Sequence, residues 1–444
     1  MGLPLPVAEC PALIRTVADE FKDFMTVTEY RAFVAVLCGA VYGFSGYSDI
    51  FRYIMFSPSV SSLGDLFNAA HFAAKLNRRH RRRLLRLMVN LEKDPARFQW
   101  VIDDTLATHD GKKIWGTYTW HDHVTKGYVF GHKILVLGIE DKKRRLLIPV
   151  SWEILHRDLS GEVEETNQLP ESVEHEKGWQ VALRLIDEAV AFGFPALTVV
   201  ADSWFAGEEL FMGLEDRHFS YVIEVKSNRN VARHGTAHYQ KRRVDTFFED
   251  KQRSLISYHG KTKFSAEAVV VFKDSELRQK VVAVANKRDL DDKAFAFYVT
   301  NQLAWNASRV WAAARDRWGI EVQFRELKQL FTFGEAAVRS QQAVETSISI
   351  SAIALTVIRL QQIAEADASE NQHARPRPAG AIVRDLQLES LRKCVSKLAS
   401  TQETDFHQRF ARRLNRQNLN GKPAEYRRKA EKHVNRTVQR KKAA

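Results

Sequence analysis

Apolar residues recur at helical spacing over the first ninety positions. Leu13, Val17, Phe21 and Phe24 form one stripe, and Phe33, Val34, Val36 and Leu37 the next, a rhythm that buries one side of a helix. Gly43 to Tyr47 and Ser57 to Ser62 interrupt these helices as loops. From Phe98 the period changes to that of strands, with β-branched and aromatic residues filling 98–104, 113–121, 131–140 and 144–152. A polar stretch over 155–176 precedes a strong helix over 177–192, a short apolar strand over 196–201, a helix over 207–217 and a strand over 221–225. Meander strands followed by alternating helices and strands predict a mixed α/β sheet with helices on its faces. Strands return at 266–272, 280–285 and 294–299, and the chain is helical again after Arg339, densely apolar from Glu345 to Glu365.

These shifts divide the 444 residues into a helical region suited to DNA binding at 1–95, a first part of an α/β core at 96–226 and a β-rich insertion at 227–302. A second part of the core follows at 303–366, then a linker at 367–380 with Pro376 and Pro378, and a helical appendage with a basic tail at 381–444. A hydrophobic content of 45% marks a folded chain. The net charge of +13 favours a polyanionic partner, and its clustering says where. Arg78, Arg79, Arg81, Arg82, Arg83 and Arg86 crowd nine positions, and 13 Lys/Arg against two Glu follow Gln408. Both blocks are candidate DNA contacts. A solvated helix face and a frayed tail are the plainer alternative. Cys10, Cys38 and Cys394 are widely spaced and lack C-x-x-C pairing, so neither a disulfide framework nor a thiolate zinc site is indicated. No cleavable leader and no long uncharged apolar run is legible, which leads us to expect a cytoplasmic protein without a membrane partner.

The candidate chemistry centres on Arg317-Trp318-Gly319-Ile320-Glu321, continued to Lys328. On a helix, Arg317, Glu321 and Lys328 share a face, beside an apolar stripe of Ile320, Phe324, Leu327 and Phe331. A carboxylate between two cations suits a site that handles metal ions and phosphates. Upstream, Val101-Ile102-Asp103-Asp104-Thr105 ends one predicted strand and Val199-Val200-Ala201-Asp202-Ser203 another. Carboxylates at neighbouring strand ends can converge with Glu321 into an oxygen-only site for hard Mg²⁺ or Mn²⁺ ions. Each residue alone has a plainer role, as a turn or helix cap for the aspartates and as a surface pair with Arg317 for Glu321. His109, His121, His123 and His132 lack a second pair at zinc-ligand spacing. Ser203 reads as a helix cap.

The string R-W-G-I-E-V-Q-F-R-E-L-K resembles the Y-(2)-R-(3)-E-(6)-K signature of bacterial insertion-sequence transposases of the DDE class, the group typified by insertion sequence 4. I-D-D-T is similar to the family's first-aspartate motif, in which the residue before Thr is the ligand, which nominates Asp104 rather than Asp103. A-D-S-W-F is similar to the second and nominates Asp202. Gly111-Lys112-Lys113, the segment 122–133 and Val338-Arg339-Ser340 add to a likeness spanning about residues 98–360.

The resemblance implies a ribonuclease H-like mixed sheet with helices on both faces, interrupted by a β-strand insertion and flanked by helical regions. It implies two Mg²⁺ ions, replaceable by Mn²⁺, on Asp104, Asp202 and Glu321, with Arg317 and Lys328 holding phosphates. The implied reaction is hydrolysis at transposon ends, then joining of the 3′-hydroxyls to target DNA, by a homodimer assembled on double-stranded DNA. The signature tyrosine is Ala314 here, which leaves a hairpin intermediate open. Trp311, one turn earlier, reads as a core residue or a base-stacking substitute, and Trp318 as structural. Two other functions fit the same residues: a ribonuclease H-like nuclease without strand transfer, and a domesticated DNA-binding protein.

Overall fold

The computed structural model describes residues 5–44, 46–88, 93–111, 113–122, 125–157, 175–233, 241–258, 260–272, 277–288, 296–336, 338–369, 375–400 and 404–415. The basic tail beyond 415, Lys112 and His123 lie outside these residues, as does most of the polar stretch at 155–176.

Five helices open the chain: α1 (Ala12–Asp19), α2 (Val27–Val41), α3 (Tyr47–Tyr53), α4 (Val60–Asn68) and α5 (Phe72–Leu87). Thr26 and Glu29 start α2 with a reciprocal capping box. Then come β1 (Phe98–Thr108), β2 (Tyr118–Asp122), β3 (Gly127–Asp141), β4 (Leu146–Leu155), α6 (Gly178–Ala191), β5 (Val199–Ala201), α7 (Glu208–Asp216) and β6 (Tyr221–Val225). β4 pairs with β3, β3 lies antiparallel to β1, and β1, β5 and β6 run parallel in that order. This is the ribonuclease H-like order that the motifs implied. The stretch read as a strand over 113–121 is strand only from Tyr118.

The insertion comprises β7 (Asn230–Arg233), β8 (Arg242–Arg243), α8 (Val244–Phe248), β9 (Ser254–Tyr258), β10 (Lys261–Phe272), β11 (Gln279–Ala285) and β12 (Ala296–Thr300). It is not a separate layer. β12 pairs antiparallel with β6, so the insertion prolongs the core sheet, which reaches twelve strands among the described residues. The chain closes with α9 (Ala307–Asp316), α10 (Gly319–Phe331), α11 (Gln341–Ala368), α12 (Ala379–Ala399) and α13 (Thr404–Asn415).

Both faces of the sheet are covered because its strands are apolar on both sides. Trp100, Ile102, Leu135 and Leu137 pack with α6 and α7. Val101, Ile134 and Val136 face the opposite way, towards α10 and α11. α11 is long and apolar enough to cross a membrane, yet 89% of its apolar window is buried in the protein. A helix apolar all round needs partners all round, and α2, α4, α5, α10 and α12 supply them. The five N-terminal helices therefore share one core with the second half of the α/β unit. Gly131 is required where β3 passes β1, since a Cβ there would sit 2.0 Å from the Ala107 carbonyl oxygen.

The same packing corrects the reading of the arginine cluster as a DNA-binding block. On α5, Arg79, Arg83 and Arg86 lie one to two turns apart and face Glu20 and Asp23, while Arg81 faces α6. Arg83 is buried, with Nε 2.9 Å from Glu20, and Arg86 reaches the same carboxylate at 2.8 Å. Arg79 pairs with Asp23 at 2.6 Å and Arg81 with Glu188 at 3.1 Å. Three of the six arginines thus tie α5 to the segment after α1 and Arg81 ties it to α6 of the core, while Arg78 and Arg82 lie exposed beside Lys75 on the outer face.

His80, at the centre of α5, is buried with Nε2 2.8 Å from the Pro149 carbonyl. Burial lowers its pKa to about 3, and burial likewise lowers that of His132 to about 4. Both imidazoles are neutral in the fold while the unfolded chain protonates near the ordinary value. Their full contribution to stability is therefore present above about pH 6.5 and is lost as pH falls from there towards the folded values. The expected loss is roughly 1.4 kcal/mol per pH unit for each histidine. Melting temperatures measured from pH 7 to 4.5 should fall steeply, and a His80→Gln variant should show a shallower slope.

Candidate active site

Strand register sets the site. Val101 and Ile102 of β1 lie beside Val200 and Ala201 of β5, and these lie beside Val222 and Ile223 of β6. One residue further on, Asp103, Asp202 and Glu224 stand side by side on three adjacent strands, about 4.8 Å apart by strand spacing. Neighbours in register point to the same face, here the face that carries α9 and α10. The row continues with Val136 beside Asp103 and Tyr298 beside Glu224.

This register corrects the choice of Asp104 as the first ligand. Successive strand residues point to opposite faces, so Asp104 faces away from Asp202, towards Lys133, whose Nζ is 3.3 Å from its carboxylate. Lys133 is in turn covered by the Trp204 ring, 3.7 Å from the ring centre. Asp103 is the aspartate on the α10 side. Burial first, and the neighbouring Asp202 next, push its pKa up to about 8 against the pull of Arg317. Asp202 follows β5, and its Oδ1 accepts a hydrogen bond from the Trp204 amide at 2.9 Å.

Arg317 lies over the row. Its guanidinium is 2.9 Å from Asp103, 3.6 Å from Glu321 and 4.0 Å from Glu224. The helix assumed to run unbroken through Arg317 is in fact two: α9 ends at Asp316, Arg317 and Trp318 form the junction, and α10 begins at Gly319. The junction keeps helical dihedrals, so Arg317 and Glu321 still meet one turn apart. Lys328 lies two turns beyond Glu321 and is half-buried. Burial lowers its pKa, opposed by Glu335, Asp122 and Asp104.

A groove of about 890 Å³ opens beside Glu224, Arg317 and Glu321, and Arg145, Lys261 and Arg375 lend it positive charge. Trp318 lines it and is 58% exposed, which corrects its reading as a structural residue. Trp311 is a core residue, buried with its ring edge against Tyr258. Ala314 is buried in the groove wall. Glu224 escaped the sequence reading because a single acid in Tyr-Val-Ile-Glu-Val carries no motif, and only strand pairing brings it beside Asp202.

Two family descriptions match the chain. The DDE superfamily endonuclease family matches residues 52–246, and the transposase DDE domain family matches residues 160–357. Together the two matches span residues 52–357 and support a nuclease or transposase of the DDE class, while the narrower insertion-sequence-4-like grouping rests on the motif resemblance alone. A piggyBac transposase, solved by cryo-EM in a synaptic complex with hairpin DNA, is 12% identical to this chain. The match covers 90% of this chain and 80% of that one, with a TM-score of 0.41. Among curated proteins, none matches the sequence.

Among the described residues, no three His, Cys, Asp or Glu side chains stand close enough together to share one metal ion. Arg317 lies between Asp103 and Glu321 and pairs with both. The donor set nevertheless fits hard divalent cations, since it consists of carboxylates alone.

Proposed function

We propose that this protein is a cut-and-paste transposase. It would bind the terminal inverted repeats of a transposon, cleave DNA at the ends by phosphodiester hydrolysis, and join the 3′-hydroxyls to target DNA. The observation that carries the reading is the alignment of Asp103 and Asp202 on adjacent strands beneath Glu321 and Arg317. Asp103, Asp202 and Glu321 would hold Mg²⁺, with Mn²⁺ able to replace it. A divalent ion held there would supply Lewis acidity for the attacking water or 3′-hydroxyl and for the leaving 3′-oxygen. Arg317 offers a planar, permanently charged fork to the non-bridging phosphate oxygens. The groove cations Arg145, Lys261 and Arg375 extend that attraction along the strand. Two copies are expected on the DNA, one for each end.

The decisive assay combines the protein, labelled end DNA, a target plasmid and Mg²⁺. Joined products are the expected result. Cleavage without joining would reduce the reading to a nuclease, and binding without either would leave a DNA-binding protein. For the helical region, the outer stripe of α5 is the expected DNA contact. Arg78→Ala with Arg82→Ala should weaken end-DNA binding, leave the melting temperature within about 1 °C, and flatten the salt dependence by nearly two counterions. Arg83→Ala should do the reverse, lowering the melting temperature through loss of the buried Glu20 pair.

A further inference from the structure

We propose that Glu224 is a positioning residue of the active site, the carboxylate that holds Arg317 in place while Asp103 and Glu321 serve the metal. This rests on the proposed function. Three carboxylates share one guanidinium, Asp103 at 2.9 Å, Glu321 at 3.6 Å and Glu224 at 4.0 Å. Two of these three are assigned to metal binding, and carboxylate lone pairs directed at a cation are withdrawn from an arginine. Glu224 then remains as the anionic partner of Arg317.

Its location suits that task. Glu224 stands in register with Asp202 at the end of β6, directly under the junction of α9 and α10. Tyr298 of β12 lies beside it in the next strand. Its side chain is 37% exposed and borders the groove, and that of Arg317 is 15% exposed. The junction is itself tied to the insertion, because Tyr258 of β9 donates a hydrogen bond to Asp316 at 2.7 Å and Arg315 donates to the Tyr258 carbonyl at 3.1 Å. The backbone at Arg317 is thus fixed from one side, and Glu224 fixes the guanidinium from the other. Without it, the arginine would be free to swing out of the site when Asp103 turns to the metal.

The test is a double-substitution cycle on the full chain, Glu224→Gln, Arg317→Ala and both together. It is read by single-turnover cleavage of end DNA and, separately, by Mn²⁺ binding followed through the paramagnetic signal of the free ion. Glu224→Gln should slow cleavage about 10-fold to 100-fold, and the double variant should be no slower than Arg317→Ala, since the two side chains act as one unit. Mn²⁺ affinity of Glu224→Gln should stay within about threefold of the unsubstituted protein, whereas Asp103→Asn should lose it. A more than tenfold loss of Mn²⁺ affinity in Glu224→Gln would make Glu224 a ligand and overturn the positioning role. Full additivity of the two rate effects, or an unaltered rate in Glu224→Gln, would overturn it too. If the unsubstituted protein binds Mn²⁺ but cuts no DNA, the transposase reading fails first and this role falls with it. Circular dichroism melting of each variant separates these outcomes from misfolding.

Discussion

Asp103→Asn should abolish DNA cleavage, with a loss of about 1,000-fold or more, while Asp104→Asn retains activity within about tenfold of the unsubstituted protein. The two substitutions are chemically identical and adjacent, so the contrast isolates the face of β1 on which each carboxylate lies. Asp103 is in register with Asp202 and bonded to Arg317, at the point where a metal and a scissile phosphate would meet. Asp104 is paired with Lys133 on the opposite face, and its neutralisation leaves that ammonium under Trp204 with less compensation. A partly exposed pair of this kind contributes about 1 kcal/mol, which lowers stability slightly without touching the reacting atoms. Single-turnover cleavage of end DNA in Mg²⁺, with binding measured in parallel, checks the prediction. Loss of cleavage in Asp104→Asn with survival in Asp103→Asn would mean that β1 is displaced by one residue from the register described.

The second large effect separates chemistry from folding on a single helix. Glu326 and Glu321 both lie on α10, but Glu326 turns inward, 2.5 Å from Arg359, whose side chain is 4% exposed. Arg359 also donates to the Leu147 carbonyl at 2.9 Å and to Gln362 at 2.6 Å, but Glu326 is its anionic partner. Glu326→Ala should therefore cost about 3–5 kcal/mol of stability, because it leaves a buried guanidinium uncompensated. The folded fraction should still cleave DNA within a few-fold of normal. Glu321 is 39% exposed, so Glu321→Ala should leave stability within about 0.5 kcal/mol and remove cleavage by about 1,000-fold. Thermal denaturation and single-turnover rates, measured on the same preparations, distinguish the two residues. If Glu326→Ala destroyed activity at unchanged stability, the roles assigned to the two faces of α10 would be exchanged.

Much of the fold was legible in the pattern of residues. The strand over 221–225 was read with the bounds it has, and the helix read over 177–192 differs by one residue at each end. Helix and strand periods differ by nearly a factor of two, so a few well-placed apolar residues decide between them. The insertion was read as strands, but its union with the core sheet was not, because pairing between β6 and β12 joins segments about seventy residues apart without a sequence mark. Motif and spacing nominate Asp202 and Glu321. Asp103 was passed over for Asp104 because β1 is apolar on both faces: Val101 and Ile102 are both buried, so alternation gave no face to choose.

Charge was the weakest guide. A cluster of six arginines looks alike in one dimension whether it meets phosphates or carboxylates, and only the placement of Glu20, Asp23 and Glu188 revealed that four of them are internal ties. By itself the sequence determined the order of helices and strands and the class of chemistry, and it nominated Asp202 and Glu321, since these follow from local periodicity and short motifs. The tertiary structure alone decided which of two adjacent aspartates faces Asp202, which arginines reach solvent, and that Glu224 stands beside Asp202 and Arg317. Those outcomes depend on register and on partners distant in the chain, which no local pattern encodes.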